Sequence, residues 1–236
     1  MIPLRDSIRS RTAPFVTVFI IAANVLVFVR EAALGPAAEA FLYQWGFVPA
    51  RFFDALHGGA PLAAGIVPLF SSIFLHGGVM HLAGNMWFLW IFGDNVEDRL
   101  GHAAFAFFYL ACGVLAGLAH AFAAPSAALP AVGASGAIAG VLGAYFVFHP
   151  TGRVLTLIPL FVFFTTAEIP AAFFLIVWFA FQALSGAVEW SAGPGAAGET
   201  GGVAWWAHVG GFLAGAAIAF FVSRFSRPRA VGWSPR

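Results

Sequence analysis

The 236 residues are 61% hydrophobic and 9% charged, with a formal net charge of +1 and a mean hydropathy of +0.90. A soluble domain carries roughly 25% charged residues, so this composition excludes a soluble protein and sets most of the chain against lipid or other helices. The near-zero net charge gives no footing for nucleic-acid binding, and a single cysteine, Cys112, excludes an intrachain disulfide or a cysteine-rich metal site.

The chain opens with Arg5, Arg9 and Arg11 ahead of an apolar run that no small-residue cleavage site closes. That run is expected to be a retained span rather than a signal peptide. Six segments are apolar and long enough to approach a crossing, which takes about 20 residues: Thr12–Val29, Val79–Gly93, Ala103–Ala124, Val132–Phe148, Ile169–Val188 and Ala204–Val222. The second and fourth are short, and a short helix is stable when protein surrounds it and it opens on a water-filled cavity. The expected organisation is a cytoplasmic N-terminal segment over residues 1–11, a six-span membrane domain over 12–223, and a basic cytoplasmic tail over 224–236. The fold class is an all-α integral membrane bundle with a short central fourth helix.

Three connections stand out. The first, from Arg30 to about Gly78, is rich in aromatics (Trp45, Phe47, Phe52, Phe53) and reads as lying in the outer interface. The run Val154–Ala167 admits a re-entrant or interfacial loop or an extension of the fifth span, with Pro159 and Pro170 favouring the loop. Ser185–Val203, glycine-rich with Pro194, reads as a flexible surface segment and a candidate lid. Arginine placement orients the whole: six spans gather Arg5, Arg9, Arg11, Arg99, Arg153, Arg224, Arg227, Arg229 and Arg236 on one side and leave Arg30 and Arg51 on the other. Both termini are therefore expected in the cytoplasm.

The even-numbered spans all enter from the outer side, and each carries a polar residue about one turn below its mouth. The second has His81 and Asn85 on one helical face, the fourth Ser135, the sixth His208. Singly, each has a structural explanation as interfacial residue, helix-to-helix glue or satisfied histidine. Together, at one depth, they form a set suited to acyl transfer. A neutral histidine can take the proton of a serine hydroxyl. Side-chain N–H groups of His81 and Asn85, with the Ser135 backbone N–H at a helix start, can bind the oxyanion of a tetrahedral intermediate. Gly133 and Gly136 leave room for a substrate backbone. No Asp or Glu lies near, so the set is a dyad, not a triad. Among the other histidines, His76 is a lesser candidate, while His57, His102, His120 and His149 have no evident place in the set. No metal and no cofactor are expected.

Gly133-Ala134-Ser135-Gly136, His81-Leu82-Ala83-Gly84-Asn85 and Ala207-His208-Val209-Gly210-Gly211 closely resemble the signatures of rhomboid intramembrane serine proteases. Phe74-Leu75-His76-Gly77-Gly78-Val79-Met80-His81 and Val96-Glu97-Asp98-Arg99-Leu100-Gly101 are similar as well, and the likeness runs from about Phe70 to Phe221. It implies a six-helix rhomboid-like bundle, Ser135 as nucleophile, His208 as general base, and His81, Asn85 and the Ser135 N–H as the oxyanion hole. It also implies cleavage of transmembrane protein substrates near the outer face of a lipid bilayer, with a bacterial plasma membrane as the expected location. Two features depart from the pattern. Better-known bacterial members set an aromatic beneath the histidine ring, one turn after the serine, where this chain has Ala139, and the first loop lacks a Trp-Arg pair. A catalytically inactive rhomboid-like binding protein and a small transporter are the alternatives. The first ordinarily lacks the serine or histidine, both present here, and the second calls for repeat symmetry, of which the chain shows none.

Overall fold

A computed structural model describes residues 1–160, 163–191 and 204–225. In chain order it contains β1 (Ile2–Asp6), α1 (Phe15–Ala33), α2 (Ala38–Trp45), α3 (Pro49–Leu56), α4 (Leu62–Ser71), α5 (Val79–Leu100), α6 (His102–Ala123), α7 (Ser135–Phe148), β2 (Arg153–Leu160), β3 (Phe163–Pro170), α8 (Ala171–Ser191) and α9 (Trp205–Phe225). Each of the six apolar segments holds one helix: α1, α5, α6, α7, α8 and α9. Four of them, α1, α6, α8 and α9, are long and apolar enough to cross a membrane, and α4 with α5 forms a pair bent by 76° that qualifies together.

The short helix is the centre of the bundle. α7 has 14 residues, about 21 Å at 1.5 Å per residue, and every residue from Gly136 to Tyr145 is buried. It packs on α9 at backbone distance. A Cβ added at Gly211 would overlap the Gly136 carbonyl, one at Gly215 the Gly140 carbonyl, and one at Gly143 the Phe212 carbonyl. Small residues at three- and four-residue spacing permit this contact, and in lipid such packing replaces the hydrophobic drive that water supplies. Around α7 the core is built from Leu89, Phe92, Phe105, Tyr109, Cys112 and Phe174. Phe19, Leu26, Phe107, Phe122, Phe173 and Leu213 point outward, the side-chain distribution of a bundle whose solvent is hydrocarbon.

Two expectations need correction and one gains detail. The first connection, expected in the outer interface, is helical over much of its length. It folds into α2, α3 and α4, and its Phe47 and Phe52 join Leu69 and Ala121 in a small core of their own against α6. Arg51 holds this unit together from α3, donating to the carbonyls of Tyr43 and Gly46 at 2.6 Å each. The segment Val154–Ala167 is neither a re-entrant loop nor part of a helix. β2 and β3 form an antiparallel hairpin, and β2 pairs on its other edge with β1, giving a three-stranded sheet in the order β1-β2-β3. Burial alternates along β2, with Val154 and Thr156 fully buried, Arg153 exposed and Leu155 and Leu157 half-buried, the pattern of a strand with one covered face. Arg153 and Glu168 pair across the two strands at 3.4 Å. Finally, α8 runs on to Ser191, so Ser185–Ser191 is helical and not loop; the remainder of the expected lid, 192–203, lies outside the described residues.

α5 also runs past the expected end at Gly93, to Leu100. Its acidic last turns are satisfied by the N-terminal segment. Glu97, fully buried, accepts from the N–H groups of Val16 and Thr17 at 2.9 and 2.7 Å and from the Thr17 hydroxyl at 2.7 Å. It thereby caps the start of α1, whose first N–H groups have no partner within the helix, and it also meets His102. Asp98 accepts from Thr12, Asp94 from Ser10, and Asp6 from both Asn95 and Tyr145. Burial pushes the Asp6 carboxyl up to about 6, against the lowering effect of the Tyr145 hydrogen bond.

Candidate active site

α5, α7 and α9 begin at the same end of the bundle, opposite the sheet, and their first turns converge. Ser135 is the first residue of α7 and His208 the fourth of α9. The Ser135 hydroxyl and the His208 Nε2 are 2.7 Å apart. The backbone contact between α7 and α9 through Gly136, Gly140, Gly211 and Gly215 brings them within reach.

The loop that delivers Ser135 is pinned from two directions. Phe47 and Ala131 exchange backbone hydrogen bonds of 3.0 and 2.8 Å, and the Gly133 N–H donates to the Ser72 carbonyl at 2.9 Å. The first connection therefore serves as a buttress for the strand of chain preceding the serine. Gly133 adopts φ +129°, and a Cβ there would lie 2.8 Å from the His81 ring and 3.6 Å from the Asn85 Nδ2. Any other residue would be strained and would strike His81. His81 and Asn85 thus close over Gly133, just ahead of Ser135. Asn85 is buried, and its Nδ2 has no hydrogen-bond partner among the described residues. A buried donor without an acceptor is a costly arrangement, and it is the one an oxyanion site requires before its ligand arrives. The N–H of Ser135 at the α7 start points the same way in kind, since the opening N–H groups of a helix are unpaired.

Gly136 plays a different part from the one expected. Its missing Cβ would meet Ala116 of α6 at 2.6 Å, so glycine there permits helix packing and does not clear space for a substrate. His76, at 2% exposure, packs its ring edge-on against His81 with centroids 5.2 Å apart. It supports the His81 ring and does not itself line the cleft. His102 belongs to the Glu97 network, His57 bonds the Phe53 carbonyl at 2.7 Å, and His149 packs on Tyr145. No group of three or more metal-ligating side chains occurs among the described residues.

A cleft of about 920 Å³ lies above the pair, between α5 and α8, with Met80, Phe88, Leu142 and Trp178 among its apolar walls and Ser135, His81, Asn85 and His208 in its lining. α8 brings two groups to His208 that the sequence pattern did not single out. Gln182 sets its Oε1 2.6 Å from the His208 Nδ1. Trp178, one turn earlier, tilts against the imidazole at 6.1 Å and 35°, and Trp205 meets it edge-on at 6.2 Å. These contacts answer what holds the ring when position 139 is alanine. A signal for Gln182 was there: an amide after an unbroken apolar stretch from Ala171 to Phe181 is costly in lipid without a partner.

Fold and site together define a polytopic helical membrane protein with a hydrogen-bonded Ser–His pair at the mouth of a buried short helix. The Rhomboid domain family model matches residues 63–225, and the chain belongs to the rhomboid family. It is 32% identical over 162 residues to rhomboid protein 1, mitochondrial, of Saccharomyces cerevisiae, covering 67% of this chain and 42% of that protein. It is also 32% identical over 147 residues to the human presenilin-associated rhomboid-like protein, mitochondrial, covering 61% of this chain and 36% of the relative. Against the rhomboid protease GluP of Bacillus subtilis it is 43% identical over 76 residues, which is 32% of this chain and 14% of that one. The chain thus spans less than half the length of these curated relatives. Mitochondrial relatives do not support the expected bacterial plasma membrane, and the placement that stands is an integral, multi-pass membrane protein.

Proposed function

We propose that this protein is an intramembrane serine endopeptidase that cuts transmembrane segments of other membrane proteins near the membrane face on which α5, α7 and α9 begin. The observation that carries the reading is the 2.7 Å contact between Ser135 and His208 Nε2 at the floor of a cleft. His208 takes the hydroxyl proton as Ser135 attacks the scissile carbonyl. His81, Asn85 and the Ser135 N–H receive the oxyanion, each such donor being worth roughly 3–4 kcal/mol. His208 then returns the proton to the leaving amine, and water releases the acyl-enzyme. An inactive binding relative has no need of an aligned dyad beside an unpaired buried amide, so the protease reading is favoured.

A carbonyl inside an intact helix is hydrogen-bonded and shielded, so substrates are expected to carry helix-weakening residues at that face; glycine lowers the unwinding cost by about 1 kcal/mol relative to alanine. The test uses the purified protein in liposomes with a single-span substrate bearing a Gly-Ala pair near its outer end and a uniform leucine counterpart. The expected result is cleavage of the first and not the second, together with covalent capture of Ser135 by a fluorophosphonate. Cleavage that persists in Ser135→Ala, or no capture of Ser135, overturns the assignment.

A further inference from the structure

Gln182 is 6% exposed, far along the apolar helix α8, and its Oε1 faces His208 Nδ1 at 2.6 Å. An amide oxygen only accepts hydrogen bonds, so this contact forms when Nδ1 carries the proton. A neutral imidazole has one N–H. With that proton on Nδ1, the lone pair sits on Nε2, which is the atom 2.7 Å from the Ser135 hydroxyl. The opposite tautomer would turn Nε2–H toward the hydroxyl and would need the Gln182 amide to turn over and donate to Nδ1.

We propose that Gln182 is a positioning residue of the reaction, holding His208 in the tautomer and ring orientation that make Nε2 a base. The proposal rests on the serine-protease reading above. As the Ser135 oxygen bonds to the substrate carbonyl carbon, the C=O π pair moves onto oxygen and the hydroxyl proton passes to Nε2. The ring, now with two N–H groups, keeps its Nδ1–H on Gln182, and the amide oxygen dipole stabilises the cation. When the C–N bond breaks, the Nε2 proton leaves with the amine, and the ring returns to its starting tautomer. Trp178, on the same face of α8 one turn away, limits the ring from the side. A backing aromatic and a hydrogen-bond acceptor thus both come from α8, so the position of this one helix sets the alignment of the dyad.

The experiment follows phosphonylation of Ser135 by a fluorophosphonate in the full-length protein, separating the inactivation rate constant from the probe's binding constant. Gln182→Met, close in length but without the acceptor, is expected to lower the rate constant about tenfold with binding unchanged. Gln182→Glu, which restores an acceptor oxygen, is expected to recover most of it. Nitrogen-15 NMR of histidine-labelled wild type, with His208 assigned by its loss in His208→Ala, is expected to show a protonated Nδ1 and a bare Nε2. A Gln182→Met protein that labels at the wild-type rate, a Gln182→Glu protein no better than Gln182→Met, or a proton found on Nε2 overturns the role of Gln182 alone. An unlabelled wild type overturns the protease reading as well.

Discussion

The two ends of α5 and α7 are built from similar polar residues and put them to opposite uses. At the sheet end, Asp94, Asn95 and Glu97 of α5 and Tyr145 of α7 are met by Asp6, Ser10 and the start of α1, and every carboxylate there has donors. At the other end, the Asn85 Nδ2 is buried with no partner among the described residues, and the Ser135 hydroxyl lines a cleft. The first arrangement gives its carboxylates donors and fastens α1 to the bundle. The second is held open by glycine, by the first-connection unit and by α8, and its unspent hydrogen-bonding capacity is what the proposed reaction would draw on.

The contrast can be broken most completely at the open end. Ser135→Ala and His208→Ala should each abolish substrate cleavage, a loss of about a thousandfold or more, and the double variant should be little worse because the two act as a unit. Thermal midpoints of all three in detergent should stay near that of the wild type. Multiplicative losses in the double variant would show that the residues do not form one machine.

Gly215→Val tests the packing that joins the two halves of the site. The valine would press into the Gly140 backbone, with an expected cost of about 3 kcal/mol in unfolding free energy. Activity should fall with it, since α9 must move away from α7 and carry His208 off Ser135. Retained activity with a lowered midpoint would mean the dyad survives a wider helix spacing.

Glu97→Ala breaks the sheet end. It leaves the N–H groups of Val16 and Thr17 without their acceptor, and each buried unmet donor costs about 1–3 kcal/mol. The protein that remains folded should still label at Ser135 at the wild-type rate. A slower rate would show that the two ends are coupled.

The smallest effect is at Asp6. Because burial raises its carboxyl to about 6, the folded protein holds this proton more tightly than the unfolded chain. Its contribution to stability is fully present below about pH 4 and is lost as pH rises through about 6. Asp6→Asn keeps an acceptor for Tyr145 without the charge. Its unfolding free energy should therefore gain on wild type between pH 5 and pH 7, by less than about 1 kcal/mol given the partial exposure of the site. A gap independent of pH would place the burial effect elsewhere.

Much of this was legible in the residue order. The six apolar segments appear as the helices α1, α5, α6, α7, α8 and α9, because hydropathy over some twenty residues leaves the backbone little choice but to bond within itself. Ser135, His208, His81 and Asn85 could be named because each is a polar residue near the mouth of a helix entering from the same side, a pattern set by chain direction and spacing. The glycines of α7 and α9 announced close packing for the same reason.

What the order of residues could not decide is which partners those groups would meet. The strands over Arg153–Leu160 and Phe163–Pro170 pair with each other and, on β2's other edge, with Ile2–Asp6 from far away in sequence. Gly136 turns toward Ala116 and not toward the cleft because the rotation of α7 about its axis is set by α6 and α9 together. Gln182 reaches His208 across 26 residues of sequence. A side chain's cost in the membrane is written in its chemistry, but its partner is chosen by helix rotation, depth and register, which belong to the packed bundle and to no single segment of it.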